Sequence, residues 1–341
     1  LPKKRVMAAM SGGVDSTVMA ALLLEEGYEV LGLTMDTGNP QVIQEAQDVA
    51  RALGISHYAV PLVEQFTREV IGNFITEYRQ GRTPNPCVFC NKHVKFGALW
   101  DFGKTLGFDY FATGHYAKVR EKDGRYLLYR ADSAQKDQSY VLYTLTQDVL
   151  SKLLLPLGQY DKSVVRAKAR ELGLVAADRP DSQDICFIPD GDYRAFLKRQ
   201  GVLAKPGNFV DQNGRVLGRH EGLPFYTVGQ RKGLGIALGH PVYVTALRVN
   251  TNEVVLGTEA DLLWQRLVAE GCNFIPFDRL IEPLEVTAKV RYKAKATSAV
   301  ISPLAEGGTA VVFQEPEKAV TPGQSVVFYQ DEMVVGGGII R

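Results

Sequence analysis

Ser11-Gly12-Gly13-Val14-Asp15-Ser16 stands where a short apolar run turns into a helix. Before it, Arg5 to Met10 reads as a strand buried on both faces. After it, Thr17 to Glu26 has helix composition, with Leu22, Leu23 and Leu24 as apolar mass and Gly27 placed as a stop. Two adjacent glycines let the backbone approach an anion closely. The free N–H groups and positive dipole end of the helix start point the same way. A strand, a glycine turn and a helix in this order set the expectation of a nucleotide-phosphate site on an α/β fold.

Asp15 complicates that expectation, because a carboxylate beside a phosphate repels it unless a cation intervenes, and Mg²⁺ is the natural candidate. The loop is no Walker A motif, since no Gly-Lys-Ser/Thr follows. It resembles the PP-loop of enzymes that cleave ATP to AMP and pyrophosphate, in which the Ser-Gly-Gly-x-Asp-Ser string holds the pyrophosphate. An N-capping aspartate in an ordinary glycine turn is the plainer alternative.

At 341 residues the chain has length for two or three domains, and a formal net charge of +1 gives no global field for nucleic acid. Any basic partner surface must then be local. No run is long and apolar enough for a bilayer, and no signal-peptide pattern opens the chain, so a soluble cytoplasmic protein without membrane association is expected. The missing initiator Met is read as a trimmed or renumbered terminus.

Outward from the loop, strands are expected at Glu29 to Met35, Ile55 to Leu62 and Asp109 to Thr113, and a helix from Pro40 to Leu53 with Gly54 as its stop. Phe66, Val70, Phe74 and Tyr78 recur at helical spacing and read as core. Another helix is expected from Asn91 to Leu106. This alternation predicts a doubly wound parallel sheet over residues 1–193, with the glycine loop and Thr113-Gly114-His115 converging at the carboxyl ends of its strands. Beyond it, turn signals at Gln212-Asn213-Gly214, Asn250-Thr251-Asn252 and Glu306-Gly307-Gly308 predict a small, mostly β middle domain at 194–259 and a β-barrel at 260–341.

The four cysteines are too sparse for a disulfide framework. Cys87 and Cys90 form a Cys-x-x-Cys just ahead of the helix that Asn91 is placed to cap, where a helix terminus, with Lys92 and Lys95, favours thiolate near neutral pH. Cys186 follows Asp181-Ser182-Gln183-Asp184-Ile185; Cys272 reads as structural. Cys87, Cys90, Cys186 and His93 are compatible with a zinc site, and the three cysteines with an iron–sulfur cluster such as [4Fe–4S]. A redox pair is a further reading, and an inert buried thiol is the commoner state of a lone cysteine.

Pro84-Asn85-Pro86-Cys87-Val88-Phe89-Cys90-Asn91, Ala112-Thr113-Gly114-His115-Tyr116-Ala117, Lys136-Asp137-Gln138-Ser139-Tyr140, the Asp181 to Phe187 string and Tyr226 to Gly235 occur in this order after the glycine loop. With them the chain resembles the tRNA-specific 2-thiouridylases of the MnmA/TrmU type over essentially its whole length. The resemblance implies ATP-dependent adenylation of C2 of the wobble uridine in tRNAs for lysine, glutamate and glutamine, then sulfur transfer with release of AMP and pyrophosphate. It implies a persulfide on Cys186, attack by Cys90, and a Cys90–Cys186 disulfide left for reduction. The sulfur arrives from a persulfide donor protein of a cysteine desulfurase relay.

By the same carry-over Ala8, Met10, Ser11, Gly12, Gly13, Val14, Asp15, Ser16, Met35 and Gly114 bind ATP, with Mg²⁺ held at Asp15 through the pyrophosphate. Asn85, His115, Lys136, Asp137, Gln138, Arg291, Tyr292 and Gln324 contact the anticodon stem-loop of tRNA. Lys289, Arg291, Lys293 and Lys295 fall on one face if the segment is a strand, and read as a phosphate-contacting stripe. The family departures are Cys87, where an aspartate is usual, and a short Asp36 to Pro40 segment in place of an acidic insertion. The rivals are an ATP-dependent amide-forming synthetase and a non-catalytic redox or metal-holding RNA-binding module.

Overall fold

The computed structural model describes residues 3–173 and 185–341; Asp181 to Asp184 of the string before Cys186 lie outside them. In chain order the strands of the amino-terminal region are β1 (Arg5–Ala9), β2 (Glu29–Asp36), β3 (Ser56–Pro61), β4 (Tyr110–Ala112), β5 (Ala117–Lys122), β6 (Arg125–Arg130) and β7 (Leu153–Leu154). Five of them form a parallel sheet in the order β3-β2-β1-β4-β7. Val6, Met7 and Ala8 of β1 are all buried because this central strand has protein on both faces. Helix α1 (Val14–Glu25) starts three residues earlier than its composition suggested, and α2 (Pro40–Leu53) has the expected bounds, with Asn39 capping it and Gly54 in the left-handed conformation at its end. Phe66, Val70, Phe74 and Tyr78 are buried, as their spacing requires.

The strand order changes direction between β1 and β4, so the turns after these two strands diverge and leave a crevice at their carboxyl ends. The glycine loop follows β1 and Thr113-Gly114-His115 follows β4.

A middle sheet of order β10-β11-β8-β9 comprises β8 (Gly207–Val210), β9 (Val216–His220), β10 (Tyr243–Arg248) and β11 (Glu253–Gly257). It packs Phe209, Val244 and Val254 against Phe74 and Tyr78 of the first region, so the two share one apolar cluster. The last six strands are β12 (Leu263–Phe274), β13 (Leu284–Lys289), β14 (Thr297–Pro303), β15 (Thr309–Lys318), β16 (Ser325–Gln330) and β17 (Met333–Ile340). They run β12-β15-β14-β13-β16-β17, and pairing of β12 with β17 closes them into a barrel that leaves no free edge among these six.

The amino-terminal region also contributes to that barrel sheet. Hairpin β5–β6 lies beside β17, with Tyr129 opposite Met333 and the Arg130 N–H donating to the Glu332 carbonyl at 2.8 Å. Arg125 donates to the Ile275 carbonyl at 2.7 Å, and the Tyr140 hydroxyl to that of Ser325 at 2.7 Å.

Candidate active site

One wall of the crevice is the glycine loop. Gly12 has φ +72°, and a Cβ there would stand 2.5 Å from Glu45 Cβ, so only glycine allows α2 to lie this close to the turn. Ser16 Oγ accepts from the Ser11 N–H at 3.2 Å and donates to the Gly13 carbonyl at 3.0 Å, which fixes the turn from within. Gly13 is the N-cap and supplies no side chain, leaving the first amides of α1 for a ligand. Gly114 packs behind the loop: a Cβ on it would meet the Asp15 carbonyl carbon at 2.9 Å.

Asp15 Oδ1 accepts from the Tyr116 hydroxyl at 2.7 Å and the Lys162 ammonium at 2.6 Å. Lys162 opens helix Lys162–Glu171, which packs on α1. This lysine belongs to no motif; the only sequence signal for it was the need for a cation beside Asp15. Oδ2 takes neither donor.

The facing wall holds the thiols. The helix around Cys87 begins at Pro86 and not at Asn91: Asn85 is its N-cap, accepting from the Val88 N–H at 3.4 Å, with proline at the first position. Asn91 is buried inside the helix and donates to the Val141 carbonyl at 3.0 Å. Cys87 and Cys90 therefore stand three apart on one helical face. Cys186 sits in the turn from Ile185 to Ile188, pinned by Phe187, whose ring lies edge-on to Phe66 and Phe74 at 5.8 and 5.4 Å between centroids.

The thiols are close enough that charge on Cys186 or Cys87 raises the pKa of Cys90, and charge on Cys87 raises that of Cys186. Burial acts first on all three: it pushes Cys90 up to about 11 and raises Cys87 and Cys186 too, with Lys95 opposing. Cys87 and Cys186 are open to solvent at their surfaces, yet the surrounding walls desolvate a thiolate there. For Cys90 the expectation of a thiolate near neutral pH is overturned, because burial outweighs the helix terminus and the lysine; for Cys87 and Cys186 burial acts in the same direction.

Both walls line one crevice of about 1370 Å³, larger than a single small-molecule pocket requires. Met10, Ser11, Gly13, Val14, Asp15, Ser16 and Met35 border it, as do Cys90, Cys186, Lys136, Asp137, Gln138, Lys289 and Tyr292. Ala8 is buried in the sheet beneath it. A second cavity of about 650 Å³, at the opposite end of the strands beside Tyr28 and Phe108, holds none of the expected site residues.

Several expected RNA contacts have partners within the protein. His115 is buried, bonded through Nδ1 to Thr113 Oγ1 at 2.8 Å, and burial holds its pKa well below the usual value. Asp137 accepts from the amides of Ala131 and Ser139 and from the Ser139 hydroxyl. The Gln138 side chain accepts from the Tyr116 N–H at 2.9 Å. Gln324 donates to the carbonyls of Thr83 and Pro84 at 2.9 and 3.1 Å, tying the barrel to the stretch that leads into the thiol helix.

The cationic stripe does not form. β13 ends at Lys289, and Arg291 to Ala294 make a turn closed by the Ala294 N–H on the Arg291 carbonyl, so the strand period is lost after Val290. Arg291 and Lys295 are exposed, while Lys289 is half-buried. Among the described residues no group of three or more His, Cys, Asp or Glu is arranged to hold a metal. His93 Nδ1 lies 4.0 Å from a Glu69 carboxylate oxygen.

No helix among the described residues is long and apolar enough to cross a membrane. Residues 4–190 match the family described as tRNA methyl transferase HUP domain, 194–258 its PRC-barrel domain, and 264–340 the aminomethyltransferase beta-barrel domain. The chain is 52% identical to a tRNA-specific 2-thiouridylase MnmA of Carboxydothermus hydrogenoformans, over 99% of this chain and 98% of that protein. It is 50% identical to the protein of the same name from Acetivibrio thermocellus over the full length of both, and 47% identical to that of Clostridium beijerinckii over 99% of each.

Proposed function

The chain belongs to the tRNA-specific 2-thiouridylases, ATP-dependent sulfurtransferases acting on tRNA, and from that premise we propose the residue roles and the order of steps. The observation that carries the proposal is that Cys90 and Cys186 open on the same crevice as the glycine loop.

ATP lies with its β and γ phosphates on the amides that begin α1, where Ser11 and Ser16 add hydroxyl donors and Lys162 balances Asp15. Mg²⁺, when bound, neutralises the leaving pyrophosphate, and Asp15 is the carboxylate that faces it; a single carboxylate suits a hard ion that keeps most of its waters. The wobble uridine of tRNA for lysine, glutamate or glutamine leaves its stack and enters from the Lys136 and Tyr292 side, an extrusion costing a few kcal/mol. Asn85 stands near the base, and exposed Arg291 meets the anticodon stem-loop.

The uracil C2 oxygen attacks the α-phosphorus and the bond to pyrophosphate breaks. The terminal sulfur of a Cys186 persulfide then adds to C2 and AMP leaves. Cys90 attacks Cys186 Sγ, the persulfide bond breaks, sulfur stays on C2, and a Cys90–Cys186 disulfide remains for an external thiol to reduce. Cys87, one helical turn before Cys90, is the third thiol of this wall. The persulfide comes from a donor protein of a cysteine desulfurase relay, in the cytoplasm.

The test is direct: protein, ATP, a persulfide donor and an anticodon stem-loop RNA are expected to yield AMP, pyrophosphate and 2-thiouridine in equal amounts. An amide-forming reading predicts that Cys186→Ala keeps its turnover. A non-catalytic reading predicts no RNA-dependent AMP.

A further inference from the structure

One thiol has no part in the steps above. Cys87 stands where the family usually has an aspartate, three residues before Cys90 on the same helical face, and the Cys90 N–H donates to the carbonyls of Pro86 and Cys87 in that first turn. The cysteines differ in where they open. Cys90 and Cys186 border the crevice that the RNA is to occupy, whereas Cys87 is not among the described residues that line it. Cys87 is exposed and Cys90 only partly so. Tyr292, on the crevice border, lies within electrostatic range of Cys87, which puts this thiol at the rim. Cys90 is within the same range of both other thiols, and Cys186 of Cys87, so the three form one cluster.

Sulfur transfer leaves a difficulty that the crevice itself creates. The Cys90–Cys186 disulfide faces the side where the RNA lies, and Cys186 takes up no further persulfide until that bond opens. A thiol already held in the cluster attacks it with the advantage of an intramolecular reaction. Two cysteines three apart in a first helical turn have the spacing of disulfide-exchanging pairs: their Cβ atoms lie about 5–6 Å from one another, a small adjustment away from the roughly 3.5–4.5 Å of a disulfide. Asn85 and Pro86 fix the turn that carries both, and Phe187 holds the turn around Cys186 against Phe66 and Phe74.

We propose that Cys87 is the resolving thiol, which opens the Cys90–Cys186 disulfide by attack on Cys90 and so returns Cys186 for reloading. This rests on the 2-thiolation reading above. Cys87 gives its proton to water, its sulfur bonds to Cys90 Sγ, the Cys90–Cys186 bond breaks, and Cys186 leaves as a thiolate that takes a proton from water. Cys87 is oxidised and Cys186 reduced in the exchange. No outside reagent is consumed until a dithiol reductant opens the Cys87–Cys90 bond at the exposed Cys87 sulfur. An aspartate at position 87 has no sulfur for this exchange, so with it the reductant must reach the Cys90–Cys186 bond itself.

The test follows the sulfurs through one turnover. Protein carrying the Cys186 persulfide is mixed with ATP and anticodon stem-loop RNA without reductant and quenched in acid; free thiols are blocked with N-ethylmaleimide, and disulfides are mapped by peptide mass spectrometry. The wild type is expected to hold Cys87–Cys90 in at least about half of the molecules that have turned over, with Cys186 alkylated. A Cys90–Cys186 bond with Cys87 alkylated overturns the proposal, and so does a Cys87–Cys186 bond. Cys87→Asp, which restores the usual family residue, is expected to stop at Cys90–Cys186. Its first 2-thiouridine should form within about threefold of the wild-type rate, and repeated turnover with dithiothreitol should slow at least about tenfold. Repeated turnover at wild-type speed overturns the proposal; so does loss of the first turnover, which would place Cys87 in the transfer itself. If Cys87→Asp does not fold, the wild-type disulfide map decides alone. Iron held by the three thiols in anaerobically purified protein, and needed for 2-thiouridine formation, also overturns the resolving role. A wild-type protein that forms no 2-thiouridine overturns the 2-thiolation reading itself.

Discussion

At the glycine loop the charges are paired before any substrate arrives, Asp15 with Lys162 and Tyr116, whereas across the crevice burial raises the pKa of Cys87 and Cys186 and pushes that of Cys90 up to about 11. The first wall is preorganised: its donors are backbone amides whose direction is fixed by glycine turns. The second is quiescent, since a protonated thiol is a poor nucleophile and a poor target for stray oxidants. The contrast teaches that activation and sulfur delivery are prepared separately, one wall by fixed donors and the other by thiols whose pKa burial raises.

The sharpest way to break this comparison is Cys186→Ala. Independent walls predict that 2-thiouridine formation falls more than about a thousandfold while RNA-dependent AMP formation stays within a few fold. Parallel loss of both, followed in one assay by nucleotide chromatography and RNA mass spectrometry, would show that the walls do not act separately. Gly114→Ala attacks the other wall, because its methyl would press on the Asp15 carbonyl carbon from 2.9 Å. KM for ATP is expected to rise about a hundredfold, roughly 2.8 kcal/mol, with thiol titration unchanged.

The protonation of Cys90 sharpens the contrast by pH. With its pKa raised from 9.0 to about 11, the thiol keeps its proton through the neutral range, and alkylation of Cys90 should quicken about tenfold per pH unit from 7 to 10. A plateau near pH 7 would mean a ready thiolate. The sign for stability follows from the same shift: the folded state holds a proton that the unfolded chain releases near 9.0, so this contribution is complete below that pH and is lost as pH climbs through 11. The smallest effect is expected for Gln324→Ala, which removes two hydrogen bonds to the stretch before the thiol helix. Thermal unfolding should report about 1–3 kcal/mol, and a larger loss in sulfur transfer than in AMP formation.

Much of the nucleotide wall was legible because its signals are local: a strand, glycines in a fixed turn, and helix stops at Gly27 and Gly54 depend on neighbours in sequence. The thiol wall was less so. Pro86 at a first helical turn was available as a signal for an earlier helix start, but Asn91 looked an equally good cap until its burial against Val141 was seen. Lys162 was hidden as a role because it acquires its meaning from Asp15, far away along the chain. The stripe after Lys289 misled since alternation of charge predicts a face only while the backbone stays extended, and here it turns. Nor did the spacing of β5 and β6 announce that this hairpin would lie beside a strand near the carboxyl terminus.

That hairpin has a mechanical meaning. By continuing the sheet of the barrel into the first region, and with Arg125 and Tyr140 fastened to barrel carbonyls, it removes the hinge that a free linker would give. If RNA is gripped at Arg291, as proposed above, it is presented to the sulfurs at a set distance, as an object in a caliper. On that reading, reach is the first filter on which nucleotide is modified.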